Sequence, residues 1–254
     1  MSDKTIAQSS TSLDAVERRN PFPGLRSFKY EESHLYFGRD NQIEIVLNKL
    51  VQHRFVAVVG TSGIGKSSFL YCGLFPTLFG DYQTEHSNKW EIFTFRPGES
   101  PIKNLAQSIA NEAVKTNPDL DPEMTFNVEY STLTSSSMGL VDAFRGKFDK
   151  YQKNYLIFVD QFEELFRFKD IDTSTTEETL AFIKLLLTAT EQSEVPVYVA
   201  LTMRSDFIGD CSHYPNLTNA INKSQFLIPQ MTRNEKKAAV EGPVRVMGAD
   251  IDER

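Results

Sequence analysis

Little in this sequence can staple, anchor or ligate. Its 254 residues include two cysteines, one tryptophan and four histidines. Cys72 and Cys211 share no metal or redox spacing, which argues against a disulfide framework and makes a reducing compartment the simplest setting. The histidines (His34, His53, His86 and His213) show no ligand spacing. No apolar run approaches the roughly 18 residues of a membrane span, and residues 1–20 lack the apolar centre of a signal peptide. A cytoplasmic chain with no membrane partner is the expectation. An excess of basic charge is missing too: 27 Lys+Arg stand against 34 Asp+Glu, a net −7. Residues 160–194 alone hold nine acids and three bases. Such a face repels phosphodiesters, so nucleic acid is not expected as a partner of this portion.

What is present is ordinary for a folded domain, 40% hydrophobic and 24% charged, enough to bury a core without staples. Residues 1–19 show no sustained period and read as a flexible lead. Order is expected from Asn20-Pro21-Phe22-Pro23-Gly24, an extended turn. After Asp40, the residues Ile43, Val46, Leu47, Leu50 and Val51 recur at helical spacing. Runs of strand length lie at 55–59, 90–95, 155–159, 195–203 and 225–228; a run apolar throughout suits a strand buried on both faces. Helical periods separate them. Ile102, Leu105, Ala106 and Ile109 follow a Ser100-Pro101 start, and Leu140, Val141, Phe144 and Phe148 form a second set. Leu180, Ile183, Leu186 and Leu187 follow a Thr175/Glu178 capping box. A second box, Thr232/Glu235, opens a helix expected to stop before Pro243. Residues 116–137 are rich in Pro, Ser and Thr and read as a long surface loop. Strands alternating with helices predict an α/β fold with a parallel sheet.

Gly60-Thr61-Ser62-Gly63-Ile64-Gly65-Lys66-Ser67 fits G-x-x-x-x-G-K-[ST] at every fixed position. Glycines let such a backbone curl until successive N–H groups point inward and cradle phosphate oxygens. The helix that opens behind it, with Ser68 in its first turn, adds partial positive charge. Lys66 would reach the β- and γ-phosphates, and the Ser67 hydroxyl would ligate Mg²⁺. A chance match is expected in roughly one protein per hundred. Here the motif also follows an apolar strand and precedes an apolar helix, as its mechanism requires.

Tyr155-Leu156-Ile157-Phe158-Val159 ends at Asp160, the position from which a phosphate-loop NTPase holds Mg²⁺. Many ATPases place a glutamate directly after that Asp to polarise water; here the residue is Gln161. Glu163 and Glu164 are the remaining candidates for general base, Glu164 slightly preferred; the bland alternative is a solvated helix start, where acids suit the dipole. Arg204 ends the fourth strand and is a candidate sensor of the γ-phosphate, against a plain salt bridge with Asp206 or with the acids after Asp160. Arg96, at the end of the second strand, is a weaker candidate.

Taken in order, Asn20 to Arg26, Tyr36-Phe37-Gly38-Arg39-Asp40, the phosphate loop, Arg96-Pro97-Gly98, Asp160-Gln161-Phe162-Glu163-Glu164 and Arg204-Ser205-Asp206-Phe207 resemble the novel STAND group of signal-transducing NTPases with numerous domains, bacterial relatives of the NACHT and apoptotic-ATPase switches. The resemblance implies a P-loop NTPase core over 20–230. That core has a parallel five-stranded sheet, order 5-1-4-3-2, flanked by helices. A helical lid would begin, truncated, over 231–254. It implies ATP/ADP and Mg²⁺ as ligands, with Phe37, Gly38 and Arg39 against adenine and ribose and Pro243 touching the base. It accommodates Gln161, because acids shortly after the Mg²⁺ aspartate replace the immediate glutamate. The implied function is a slowly hydrolysing regulatory ATPase in bacterial defence or stress signalling, homo-oligomeric when active, with its trigger sensed by regions beyond this chain. The alternatives are an AAA+-type motor and a DNA-loading ATPase, the latter disfavoured by the acidic balance. A GTPase is rejected because Asn222-Lys223-Ser224-Gln225 lacks the acid of N-K-x-D.

Overall fold

The computed structural model describes residues 20–80, 82–167, 173–249 and 251, with backbone only at 173–176; the expected lead at 1–19 lies outside them. Five parallel strands form one sheet: β1 (Phe55–Gly60), β2 (Trp90–Phe95), β3 (Asn154–Val159), β4 (Val197–Arg204) and β5 (Gln225–Leu227). Their spatial order is β2-β3-β4-β1-β5, the expected 5-1-4-3-2 in reverse. Alternation of side chains along each strand splits the core in two. Phe55, Ala57 and Val59 of β1, with Tyr155, Ile157 and Val159 of β3, face one layer. Val56 and Val58, with Leu156 and Phe158, face the other. Both sets are buried, which is why the runs read as apolar throughout.

Helices cover both faces. α1 (Asp40–His53) and the helix after the phosphate loop pack on the second layer. That helix is α2 (Lys66–Ser68), a π-type turn over Phe69–Leu74, and α3 (Phe75–Phe79). The first layer takes α4 (Pro101–Thr116), α5 (Pro122–Ser135), α6 (Gly139–Tyr151), α8 (Thr173–Glu191) and α9 (Pro215–Ser224). The short α7 (Glu164–Arg167) follows β3.

Three expectations change. Residues 116–137 are not a loop: Asp121 caps α5 by accepting from the Met124 N–H (2.6 Å), with Pro122 at the first helical position. The helix buries only Glu129 and Leu133, so its apolar period was weak. Helix α8 starts at Thr173, which sets Thr175 inside it and not at its cap. Helix α10 (Arg233–Val246) opens with the expected Thr232/Glu235 box but runs through Pro243. The proline removes one N–H, while the Met247 N–H still reaches the Pro243 carbonyl (3.1 Å).

Helix α10 seats on the turn before α1. Gln42 Nε2 donates to Glu235 Oε1 (2.5 Å), Gly38 (φ +86°) lies under the Glu235 carbonyl, and Gly242 faces the Phe37 ring. A methyl at Gly242 would stand 2.5 Å from that ring. Helix propensity alone favours alanine over glycine by about 1 kcal/mol. We expect the opposite sign: Gly242→Ala should lower stability in denaturant unfolding by about 1–3 kcal/mol, and adding Phe37→Ala should recover part of it. A Gly242→Ala protein more stable than wild type would contradict this packing.

Candidate nucleotide site

The loop between β1 and α2 needs two left-handed residues, and glycine supplies both: Gly63 at φ +76° and Gly65 at φ +94°. The chain closes on itself through the Ile64 N–H to the Thr61 carbonyl (3.4 Å). Lys66 folds back over this loop, its Nζ donating to the Gly60 (2.9 Å) and Thr61 (3.0 Å) carbonyls. Burial pushes its ammonium below the usual lysine range, and the nearby Glu163 carboxylate opposes that shift. Ser67 is one residue further, and its hydroxyl donates to Asp160 Oδ1 (2.7 Å).

Asp160 is 5% exposed. Its Oδ1 also accepts from the Thr202 hydroxyl (2.6 Å), and Arg96 Nε lies 3.7 Å from Oδ2. The chain then turns sharply at Gln161 (φ +56°), whose N–H donates to Thr202 Oγ1 (2.9 Å). Thr202 was missed from the sequence. Its signal was present: it is the one hydroxyl in the apolar run Val199-Ala200-Leu201-Thr202-Met203.

The turn sends the two glutamates to different places. Glu163 is 3% exposed, accepts from the Arg204 N–H (3.3 Å) and lines the cleft beside Lys66. Glu164 leaves the cleft for the turn after β2, where its Oε2 accepts from the Gly98 N–H (3.1 Å). With its amide nitrogen toward Glu164, Gln161 donates to Oε1 (3.2 Å) and accepts from Arg96 Nη2 (3.0 Å). The opposite orientation would set acceptor against acceptor and donor against donor.

The cleft holds about 760 Å³. Ser62 to Ser68 form its floor, and Arg39, Arg167, Thr202 and Arg204 also line it. Residues 22–28 form a wall that sequence reasoning did not assign to the site. That wall is fastened where the Phe28 N–H donates to Ser68 Oγ (3.1 Å) and Cys72 Sγ to the Lys29 carbonyl (3.0 Å). Arg39, 4% exposed, donates to the Pro229 carbonyl (2.9 Å). Phe37, Gly38 and Pro243 are packed between the turn and α10 and do not line the cleft. Arg204 lines it, yet its guanidinium is held by Asp206 (3.1 and 2.6 Å) over the Phe207 ring. That ion pair holds the Asp206 carboxyl below its usual range.

One buried carboxylate beside a hydroxyl is the hard-oxygen set that Mg²⁺ takes when phosphate oxygens and water complete its shell. Among the described residues no group of three or more His, Cys, Asp or Glu gathers as an all-protein metal cage.

The sequence matches the family Novel STAND NTPase 1 over residues 21–254. Two solved structures share the fold. One is the ORC2 protein of Aeropyrum pernix, described in ADPNP and ADP complexes: 12% identity, TM-score 0.53, covering 87% of this chain and 53% of that one. The other is a Walker-type ATPase of Pyrococcus abyssi: 13% identity, TM-score 0.53, covering 90% and 63%. The chain thus spans between half and two thirds of these proteins. No curated protein matches it. The fold is that of a P-loop NTPase.

Thr202 is fully buried, so its hydroxyl can be tested by an isosteric change. Thr202→Val should lower stability by about 1–3 kcal/mol, because the Gln161 N–H and Asp160 Oδ1 each lose a partner in the interior. Thr202→Ser should retain most of it. Denaturant unfolding decides, and a valine variant as stable as wild type would remove Thr202 from the site.

Proposed function

The chain belongs to the Novel STAND NTPase 1 family, and we propose that it is the ATP-binding, slowly hydrolysing core of a regulatory switch. The observation that carries this reading is the Ser67–Asp160 hydrogen bond, which joins the phosphate loop to the acidic strand end. ATP or ADP would sit on the loop, with phosphate oxygens on its N–H groups and on Lys66 once that side chain leaves the Gly60 and Thr61 carbonyls. Ser67 and Asp160 would hold Mg²⁺, which supplies neutralisation of phosphate charge when bound.

Glu163 is the general base in this reading, taking the proton of the attacking water, since it faces the cleft and Glu164 does not. Arg204 reads the γ-phosphate by exchanging Asp206 for it. That exchange would couple nucleotide state to conformation and to assembly of copies, in the manner of a defence or stress switch whose trigger is sensed elsewhere. The core would span residues 20–230. Helix α10 would open the lid over 231–254, tied to the core through Gln42–Glu235 and Phe37–Gly242.

Lys66→Ala should lose ATP binding in calorimetry with its fold intact by circular dichroism. Glu163→Gln should keep ATP binding and slow single-turnover hydrolysis roughly 10²–10⁴-fold. Wild-type affinity in the first would overturn the nucleotide site; unchanged turnover in the second would return the base to Glu164. Arg204→Ala should still bind ADP while light scattering no longer distinguishes ADP from a non-hydrolysable ATP analogue. An unchanged nucleotide response would end its sensor role.

A further inference from the structure

Glu164 and Gln161 occupy the positions where a base is usually sought, yet their side chains do something else. Both oxygens of Glu164 are engaged, one by the Gly98 N–H and one by the Gln161 amide. Gln161 passes the contact on to Arg96 Nη2 at 3.0 Å, and Arg96 Nε lies 3.7 Å from Asp160 Oδ2. The turn that carries Arg96 is fixed from behind by Asn104, whose Nδ2 donates to the Arg96 (3.3 Å) and Pro97 (2.8 Å) carbonyls. Ser67 and Thr202 already engage Oδ1. Asp160 therefore accepts hydrogen bonds at Oδ1 from Ser67 behind the phosphate loop and from Thr202 of β4, while Oδ2 faces the Arg96 guanidinium that follows β2.

We propose that Glu164, Gln161 and Arg96 form a bridge that orients the Asp160 carboxylate for its metal, which makes Glu164 a positioning residue and not the base. The proposal rests on the reading of Asp160 as a Mg²⁺ ligand. An amide can donate to a carboxylate and accept from a guanidinium at once, so Gln161 joins two charged groups that are not in contact with each other. A glutamate at 161 would set like charges side by side against Glu164. The absence of the usual glutamate after Asp160 is thus a requirement of the bridge. Arg96 is mostly exposed, its side chain 59% accessible, so water weakens its repulsion of a bound cation. The bridge requires its contact with the ligand oxygen to outweigh that repulsion, and the sign of the change in metal binding in Arg96→Ala decides it.

The test is Mn²⁺ binding to the ADP-bound protein, read by electron paramagnetic resonance, in wild type, Arg96→Ala, Glu164→Ala, Glu164→Gln, Gln161→Glu and the Arg96→Ala/Glu164→Ala double variant. Each single alanine change should weaken Mn²⁺ binding roughly tenfold, and the double no further than Arg96→Ala alone, because the two act in one chain. Gln161→Glu should weaken it likewise. ADP affinity without metal should stay as in wild type. Glu164→Gln keeps an acceptor for the Gly98 N–H and serves if the alanine variant does not fold; it should also bind Mn²⁺ more weakly and still hydrolyse ATP within about tenfold of wild type. Wild-type Mn²⁺ affinity in Arg96→Ala or Glu164→Gln, additive losses in the double variant, or hydrolysis abolished in Glu164→Gln would each overturn the bridge. A wild-type protein that binds no Mn²⁺ with ADP would instead overturn the reading beneath it, and the bridge with it.

Discussion

Asp160 Oδ1 accepts from Ser67 and Thr202 at once, and that shared oxygen sets the terms for the whole carboxyl end of the sheet. A carboxylate this buried is tolerated only when hydrogen bonds or charges compensate it. Its partners must therefore arrive from the loop after β1 and from the end of β4. This is possible because β4 lies between β3 and β1, in parallel register through Val59↔Met203 and Gly60↔Arg204. Sheet order and site geometry are one constraint seen at two scales. The left-handed turn at Gln161 follows from it: its backbone N–H must reach Thr202, and that contact offsets about 1–2 kcal/mol of backbone strain.

From that turn the acids diverge. Glu163 and Glu164 are adjacent in sequence, but successive side chains leaving a tight turn point in different directions. One is drawn to the Arg204 N–H beside the cleft and the other to Gly98 behind it. Their chemistry is separated by orientation alone. Lys66 and Arg204 are likewise engaged, on loop carbonyls and on Asp206. In the proposed triphosphate complex both would trade these partners for phosphate oxygens, which would couple nucleotide binding to an internal rearrangement.

The strands were legible because burial on both faces leaves an apolar run with no polar register, and the phosphate loop because it fits its motif at every fixed position, with Gly63 and Gly65 where the backbone takes positive φ. Ser67 and Asp160 were each assigned to Mg²⁺, and their direct hydrogen bond came from the structure. Helix α5 was hidden by its weak apolar period, and the passage of α10 through Pro243 by the tertiary contacts that hold it. Which glutamate faces the cleft was not legible: it depends on the φ of Gln161 and on a partner, Gly98, that is 66 residues away. Residues 20–24 were read as an extended turn, but the place of the wall at 22–28 over the loop depends on the Ser68 and Cys72 contacts. Phe37, Gly38 and Pro243 were assigned to the nucleotide base and ribose; Phe37 and Gly38 pack against Gly242 and Glu235 of α10, and none of the three lines the cleft.

The central claim is that one cleft, floored by residues 62–68 and closed by the turn after Asp160, takes a nucleotide with its metal. Amide hydrogen exchange with and without Mg·ATP tests it most directly, because it reports which backbone groups gain partners. Exchange should slow at residues 60–68 and 160–164, and less strongly at 22–28, with every effect reduced when Mg²⁺ is withheld. Exchange at 60–68 unchanged by saturating Mg·ATP, or protection confined to another face, would contradict the claim.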